Sequence, residues 1–194
     1  AFIYGPLSQA MMDGGCLFIN ELNRIPESSQ NVLLSALDER TLIIPKLKTI
    51  SAKDSFLVIA TQNPSAHVGV SALGEALKDR FVWLHVDYQT EAEEVDIVQN
   101  NLDSKSPHSL THARIAVMIV RESRKHPDIR RGASIRAAID LAQLAQTYGE
   151  PGPGFWRESA IMALHSKIEL ADGTDRNARE IIIEIVDKVL EHFQ

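Results

Sequence analysis

The stretch Cys16-Leu17-Phe18-Ile19-Asn20-Glu21 decides the fold of this chain. Four apolar residues run straight into an amide and a carboxylate. Leu22-Asn23-Arg24 and Ile25-Pro26 follow, and then a helical pattern begins. A continuous apolar run this short predicts a strand buried on both faces. Asn20 and Glu21 then sit at the strand's C-terminal end, where open α/β sheets bind ligands. A carboxylate there can orient water for attack on a phosphate, and a neighbouring polar oxygen can hold Mg²⁺ through water. The plain alternative is a buried strand with a polar end.

On either side the pattern alternates between strand and helix. Ser8 to Met12 reads as a short helix ended by Asp13-Gly14-Gly15. Pro26 suits the first turn of the next helix, where Val32, Leu33, Ala36 and Leu37 share a face. Thr41–Ile44 and Lys46–Ile50 read as two short strands bent at Pro45, and Ser55–Thr61 as a second buried strand ending in Gln62-Asn63-Pro64. Val70–Lys78 reads as a helix and Phe81–Val86 as a third strand. This alternation predicts an α/β fold, a parallel sheet covered by helices.

Beyond Asp87 to Thr90 the pattern is helical throughout, with no strand expected. Helices are predicted at Glu91–Asn101, from Ser106-Pro107 onward, at Ile135–Thr147, at Trp156–His165 and at Asp175–Phe193. Two domains are therefore expected, an α/β piece at 1–88 and an all-helical piece at 89–194.

Composition narrows the function. A formal charge of −6 argues against general polyanion binding, so nucleic acid is not an expected partner. Cys16 is the single cysteine, so there is no disulfide framework, and a reducing compartment fits. No apolar run approaches a membrane span, and no signal peptide is visible. The expected location is the cytoplasm.

Further motifs follow in a fixed order: Thr61-Gln62-Asn63-Pro64 at a strand end, Asp79-Arg80-Phe81 after a helix, and Gly132-Ala133-Ser134-Ile135-Arg136 opening another. With Gly5-Pro6-Leu7, Glu21-Leu22-Asn23-Arg24 and Asn31 to Arg40, they make the chain resemble the MoxR group of AAA+ ATPases over nearly its whole length. The resemblance implies a partial AAA+ core followed by a helical lid. It gives Asn20-Glu21 the place of the Walker B acids, Asn63 that of sensor 1, Arg80 that of the arginine finger and Arg136 that of sensor 2. Glu21 would activate water, Asn63 would position it, Arg80 would act on a neighbour's nucleotide, and Arg136 would contact the γ-phosphate. Asn20 would face Mg²⁺. The cofactors implied are ATP and Mg²⁺. The implied assembly is a homo-oligomeric ring, expected to be a hexamer, acting as a chaperone-like remodeller, with a von Willebrand factor A domain protein as a possible partner.

Each position also has a simpler reading: Asn63 as a turn residue before proline, Arg80 as a surface arginine paired with Asp79 or Glu75, Arg136 as an exposed arginine. Two departures from the family stand out. Asn20 replaces an Asp, and the pattern G-x-x-x-x-G-K-[ST] occurs nowhere in the 194 residues. That loop supplies the phosphate cradle and is expected before Ala1, so the chain reads as the C-terminal two-thirds of a longer ATPase. Alone it is expected to bind ATP weakly and hydrolyse none. The rival reading is a degenerate binding or assembly module. The family's strand order, 5-1-4-3-2, would leave a gap between Ser55–Thr61 and Phe81–Val86.

Other candidates are weaker. His108 and His112 could share a helix face but have no third ligand at recognisable spacing. Arg121, Arg124, Lys125, Arg130 and Arg131 suggest a solvated inter-helix loop. Cys16, Trp83 and Trp156 are expected in cores.

Overall fold

The computed structural model describes residues 3–62, 73–103, 106–148 and 151–193. The chain forms two compact units, Ala1–His85 and Val86–Gln194.

In the first unit the order is α1 (Pro6–Asp13), β1 (Cys16–Ile19), α2 (Glu27–Asp38), β2 (Thr41–Ile44), β3 (Lys48–Ser51), β4 (Leu57–Ala60) and α3 (Glu75–Lys78). α1 has proline in its first turn and stops at Gly14, whose φ of 72° puts it in the left-handed region that glycine enters without a Cβ penalty. β1 and β4 pair in parallel, Cys16 opposite Leu57 through Ile19 opposite Ala60. β2 and β3 form an antiparallel hairpin around Pro45 and Lys46. Met11, Ala36, Ile50 and Phe56 pack into one core cluster, and Leu22, Leu33, Leu73 and Leu77 into a second.

Several expectations for this unit fail. The strand at Cys16–Ile19 is not buried on both faces: Leu17 and Ile19 turn to the cores, while Cys16 and Phe18 are exposed, as are Leu57 and Ile59 on β4. Parallel strands are apolar on both faces because both are normally covered, and among the described residues this pair has one covered face. Cys16 is therefore not a core residue. The third strand does not form either. Residues 82–90 carry no regular structure, and Val82, Trp83, Leu84 and Val86 are exposed. An extended segment becomes a strand only by pairing its N–H and C=O groups, and none of the described strands pairs with it. Trp83 loses its expected core place with it; its indole N–H donates to Lys78 O. Of the helix expected at Val70–Lys78, residues 70–72 lie outside the described residues, Leu73 and Gly74 are not helical, and only Glu75–Lys78 form α3.

In the second unit the order is α4 (Glu91–Asn100), α5 (Ser109–Ser123), β5 (Ile129–Arg131), α6 (Ile135–Tyr148), α7 (Pro153–Leu164), β6 (Glu169–Leu170) and α8 (Ala178–Leu190). α4 starts on a capping box in which Thr90 and Glu93 satisfy each other's backbone N–H groups. Asn177 caps α8 through Glu180 N. Val98, Ile119, Leu141, Leu164, Ile182 and Val186 belong to one continuous core, with Trp156 buried among them as expected. The short antiparallel pair β5–β6 corrects the expectation of no strand. Its two and three residues are too few to show a period-two pattern in the sequence.

Candidate functional site

β1 and β4 deliver their C-terminal ends side by side, which brings Asn20, Glu21 and Thr61 together. Thr61 is the hub. Its hydroxyl donates to Asn20 Oδ1 at 2.7 Å and accepts the Glu21 N–H at 3.1 Å. Its backbone N–H donates to Ile19 O, and its carbonyl accepts from Leu22 N at 2.8 Å. These bonds bracket a strained residue. Glu21 lies in the left-handed region with φ 55° and ψ 56°. A non-glycine residue is uncommon there, and such strain persists only where the surroundings enforce it. Reversing the chain at Glu21 throws its carboxylate off the strand end, where Arg24 Nε pairs with it at 2.8 Å. Thr61 carries no signal of its own in the sequence, because threonine is an ordinary strand residue; its register opposite Ile19–Glu21 gives it the role.

Asn20 Oδ1 uses one lone pair for Thr61. A carbonyl oxygen has two, so one is left for a metal-bound water. Mg²⁺ keeps several waters and is usually held by one or two carboxylates. Asn20 could hold such an ion through its waters, with less charge than an acid would bring, while the Glu21 carboxylate beside it is paired with Arg24.

Arg80 follows α3, and α2 grips that segment at both ends. Gln30, buried on α2, accepts from Gly74 N at 3.2 Å. Asp38, the last residue of α2, takes the guanidinium of Arg80 in a fork, Nε to Oδ1 at 2.8 Å and Nη2 to Oδ2 at 2.8 Å, while Nη1 donates to Ala76 O. The Arg80 hydrogen bond holds the Asp38 carboxyl below the ordinary range of its type, and the Asp38 hydrogen bond raises Arg80 in return. Arg80 is thus paired as its simpler reading required, but with Asp38 rather than Asp79 or Glu75. That partner lies 42 residues away, beyond what local spacing reveals.

Asn63 lies outside the described residues. Arg136 is exposed in the first turn of α6, in the other unit. His108 and His112 lie with ring centroids 5.9 Å apart, and the buried His112 meets Trp156 edge-on. The basic residues read as a solvated loop divide instead. Lys125 and Arg130 are exposed, but Arg121 and Arg124 turn inward onto the buried carboxylate of Glu94. Among the described residues no helix is long and apolar enough to cross a membrane.

The family model for the AAA domain of the dynein-related subfamily matches residues 1–81. The gas vesicle ATPase GvpN of Haloferax mediterranei is 29% identical over 171 residues, covering 86% of this chain and 48% of that protein. GvpN1 of Halobacterium salinarum is 29% identical over 191 residues, covering 96% and 53%. The uncharacterized protein YeaC of Bacillus subtilis is 31% identical over 161 residues, covering 70% and 49%. The chain thus spans about half the length of these curated relatives. With β1 and its Asn20-Glu21 end inside the matched stretch, residues 1–81 carry an AAA domain, and these likenesses support a MoxR-like AAA+ ATPase.

Proposed function

We propose that this chain supplies the water-activating and subunit-bridging parts of an ATP-hydrolysing AAA+ ring. The observation that carries the reading is Glu21: a carboxylate at the C-terminal end of a parallel strand, held in a left-handed turn by Thr61. In this reading Glu21 activates the attacking water, Asn63 positions it and Asn20 holds the waters of Mg²⁺. Arg80 acts on the nucleotide of a neighbouring subunit, and Arg136 contacts the γ-phosphate from a helical lid. Residues 1–88 are the part of the AAA+ core present in this chain, and 89–194 are the lid. The bound ATP·Mg²⁺ supplies the phosphoryl group and the positive charge beside it. The protein residues orient water and stabilise developing charge, which is most of what such catalysis asks of them. The name of two relatives, gas vesicle ATPase, supports hydrolysis of ATP. A hexameric, cytoplasmic, chaperone-like remodeller working beside a von Willebrand factor A domain protein completes the proposal.

A second reading, a binding or assembly module that hydrolyses nothing, is favoured by three features. Asn20 lacks the acid's charge, Glu21 is paired with Arg24, and Arg80 with Asp38. Steady-state ATP hydrolysis by the complete protein separates the two. Mg²⁺-dependent turnover that falls at least about a hundredfold in Glu21→Gln, with nucleotide binding kept, supports the enzyme. Equal rates for both proteins would overturn the role of Glu21, and no turnover by either would favour the module.

A further inference from the structure

Glu94 of α4 is 1% exposed and is held between two guanidinium groups. Arg121 Nη1 reaches Glu94 Oε2 at 2.8 Å, and Arg124 Nη1 reaches Oε1 at 2.7 Å. The Arg124 guanidinium also stacks 3.9 Å from the centre of the Tyr88 ring. Its Nε donates to Ala133 O at 2.9 Å. Ala133 N in turn donates to Ser123 Oγ at 3.0 Å. Gly132 lies so close that a Cβ there would come within 2.6 Å of the Arg124 backbone. The segment Gly132–Ser134, which leads into α6 and Arg136, is therefore fastened to the end of α5 by both backbone groups of Ala133, and α5 is fastened to α4 through Glu94.

We propose that Glu94 and Arg124 are positioning residues for Arg136: the buried carboxylate orients the Arg124 fork, and the fork fixes where the first turn of α6 begins. A guanidinium can make this arrangement because its donors lie in one plane with fixed directions. It can serve a carboxylate with one edge and a carbonyl with another, which an ammonium cannot do. The buried charge sets the arrangement firmly, since loss of one partner leaves the other uncompensated. The functional half of the proposal rests on the reading of Arg136 as a nucleotide contact; the fastening itself does not.

Hydrogen exchange of single amides in the full 194-residue chain tests the fastening. Arg124→Lys keeps the charge and removes the fork. It should speed exchange at Ala133 and Ala137 by about tenfold or more, while Ile182 and Val186 of α8 stay within about twofold. Glu94→Gln should act in the same direction. If either variant fails to fold, Gly132→Ala supplies the test, because its methyl group pushes the segment off Arg124 without removing a charge. Unchanged exchange at Ala133, or acceleration of all amides alike, would overturn the fastening. In the complete ATP-hydrolysing protein, Arg124→Lys and Arg136→Ala should then be non-additive, the double variant losing no more than Arg136→Ala alone. Losses that multiply would overturn the route through Arg136. Normal hydrolysis by Arg136→Ala would overturn the reading of Arg136 and the functional half with it, leaving the fastening to the exchange result.

Discussion

Arg80 is forked onto Asp38, with three donor–acceptor contacts between 2.8 and 3.0 Å joining the end of α2 to the turn after α3. The residue proposed to act on a neighbouring subunit is thus engaged within its own chain. The pair is bidentate, the geometry that gives an exposed arginine–carboxylate contact its best chance of persisting.

This pair has a measurable acid limit. Hydrogen bonding from Arg80 lowers Asp38 in the folded chain below its ordinary value of 3.8. A carboxyl lowered on folding contributes stability in full above the unfolded value and loses it as pH falls through the folded value. A carbon-detected NMR titration should therefore find the Asp38 midpoint below 3.8 in the native chain, and Arg80→Ala should move it back up. The same midpoint in both proteins would mean that the fork does not persist in solution.

Arg80 must leave Asp38 before it can reach a neighbour's phosphate. If the proposed ring forms and Arg80 is its finger, Arg80→Ala should lower hydrolysis by roughly 10³-fold or more. Asp38→Asn should raise it, and rings mixing Arg80→Ala with Glu21→Gln subunits should recover activity. An Arg80→Ala ring turning over at the normal rate would leave Arg80 a structural partner of Asp38.

Thr61 makes two hydroxyl hydrogen bonds at the turn that aims Glu21. Thr61→Val keeps the shape and loses both bonds. Each is worth about 1 kcal/mol, so kcat should fall about tenfold or more while KM for ATP changes little. Thr61→Ser should restore most of the rate. Equal kcat for Val and Ser would assign the orientation of Glu21 to other contacts.

Asn20→Asp keeps an oxygen facing the Thr61 hydroxyl and adds a negative charge. Hydrogen bonds to charged groups are worth about 1.5–3 kcal/mol, against about 1 for neutral ones. Mg²⁺-dependent hydrolysis by the complete protein should therefore rise by about tenfold or more. A native protein already as fast as its Asp variant at limiting Mg²⁺ would move the magnesium role to another residue.

The outer face of β1 and β4 carries Phe18 at 60%, Leu57 at 55% and Ile59 at 49% exposure. Contiguous exposed apolar surface promotes association. The 194-residue chain should bind a hydrophobic dye and self-associate with rising concentration. Phe18→Ser with Ile59→Ser should suppress both, and each change should alter stability by about 0.5 kcal/mol or less, because neither side chain is in a core. Unchanged dye binding in the double variant would show this face to be covered in solution.

The sequence alone determined the strand-turn at Cys16–Glu21, the hairpin around Pro45, most helices of the second half and the order of motifs that marks the family. These are local signals: a short apolar run, a proline, a 3.6-residue period, a fixed succession of side chains. Tertiary structure decided everything that depended on a distant partner. Residues 81–86 have the composition of a strand, yet remain unpaired among the described residues, because a strand is made by its neighbour as much as by its own sequence. Thr61 became the hub of the site through its register opposite Ile19–Glu21, and Arg80 found Asp38 across 42 residues. Arg121 and Arg124 looked like solvated charges until α4 brought Glu94 against them. Charge in a sequence gives the sign of an interaction, but burial and geometry decide which opposite charge answers it, and only the folded chain fixes those.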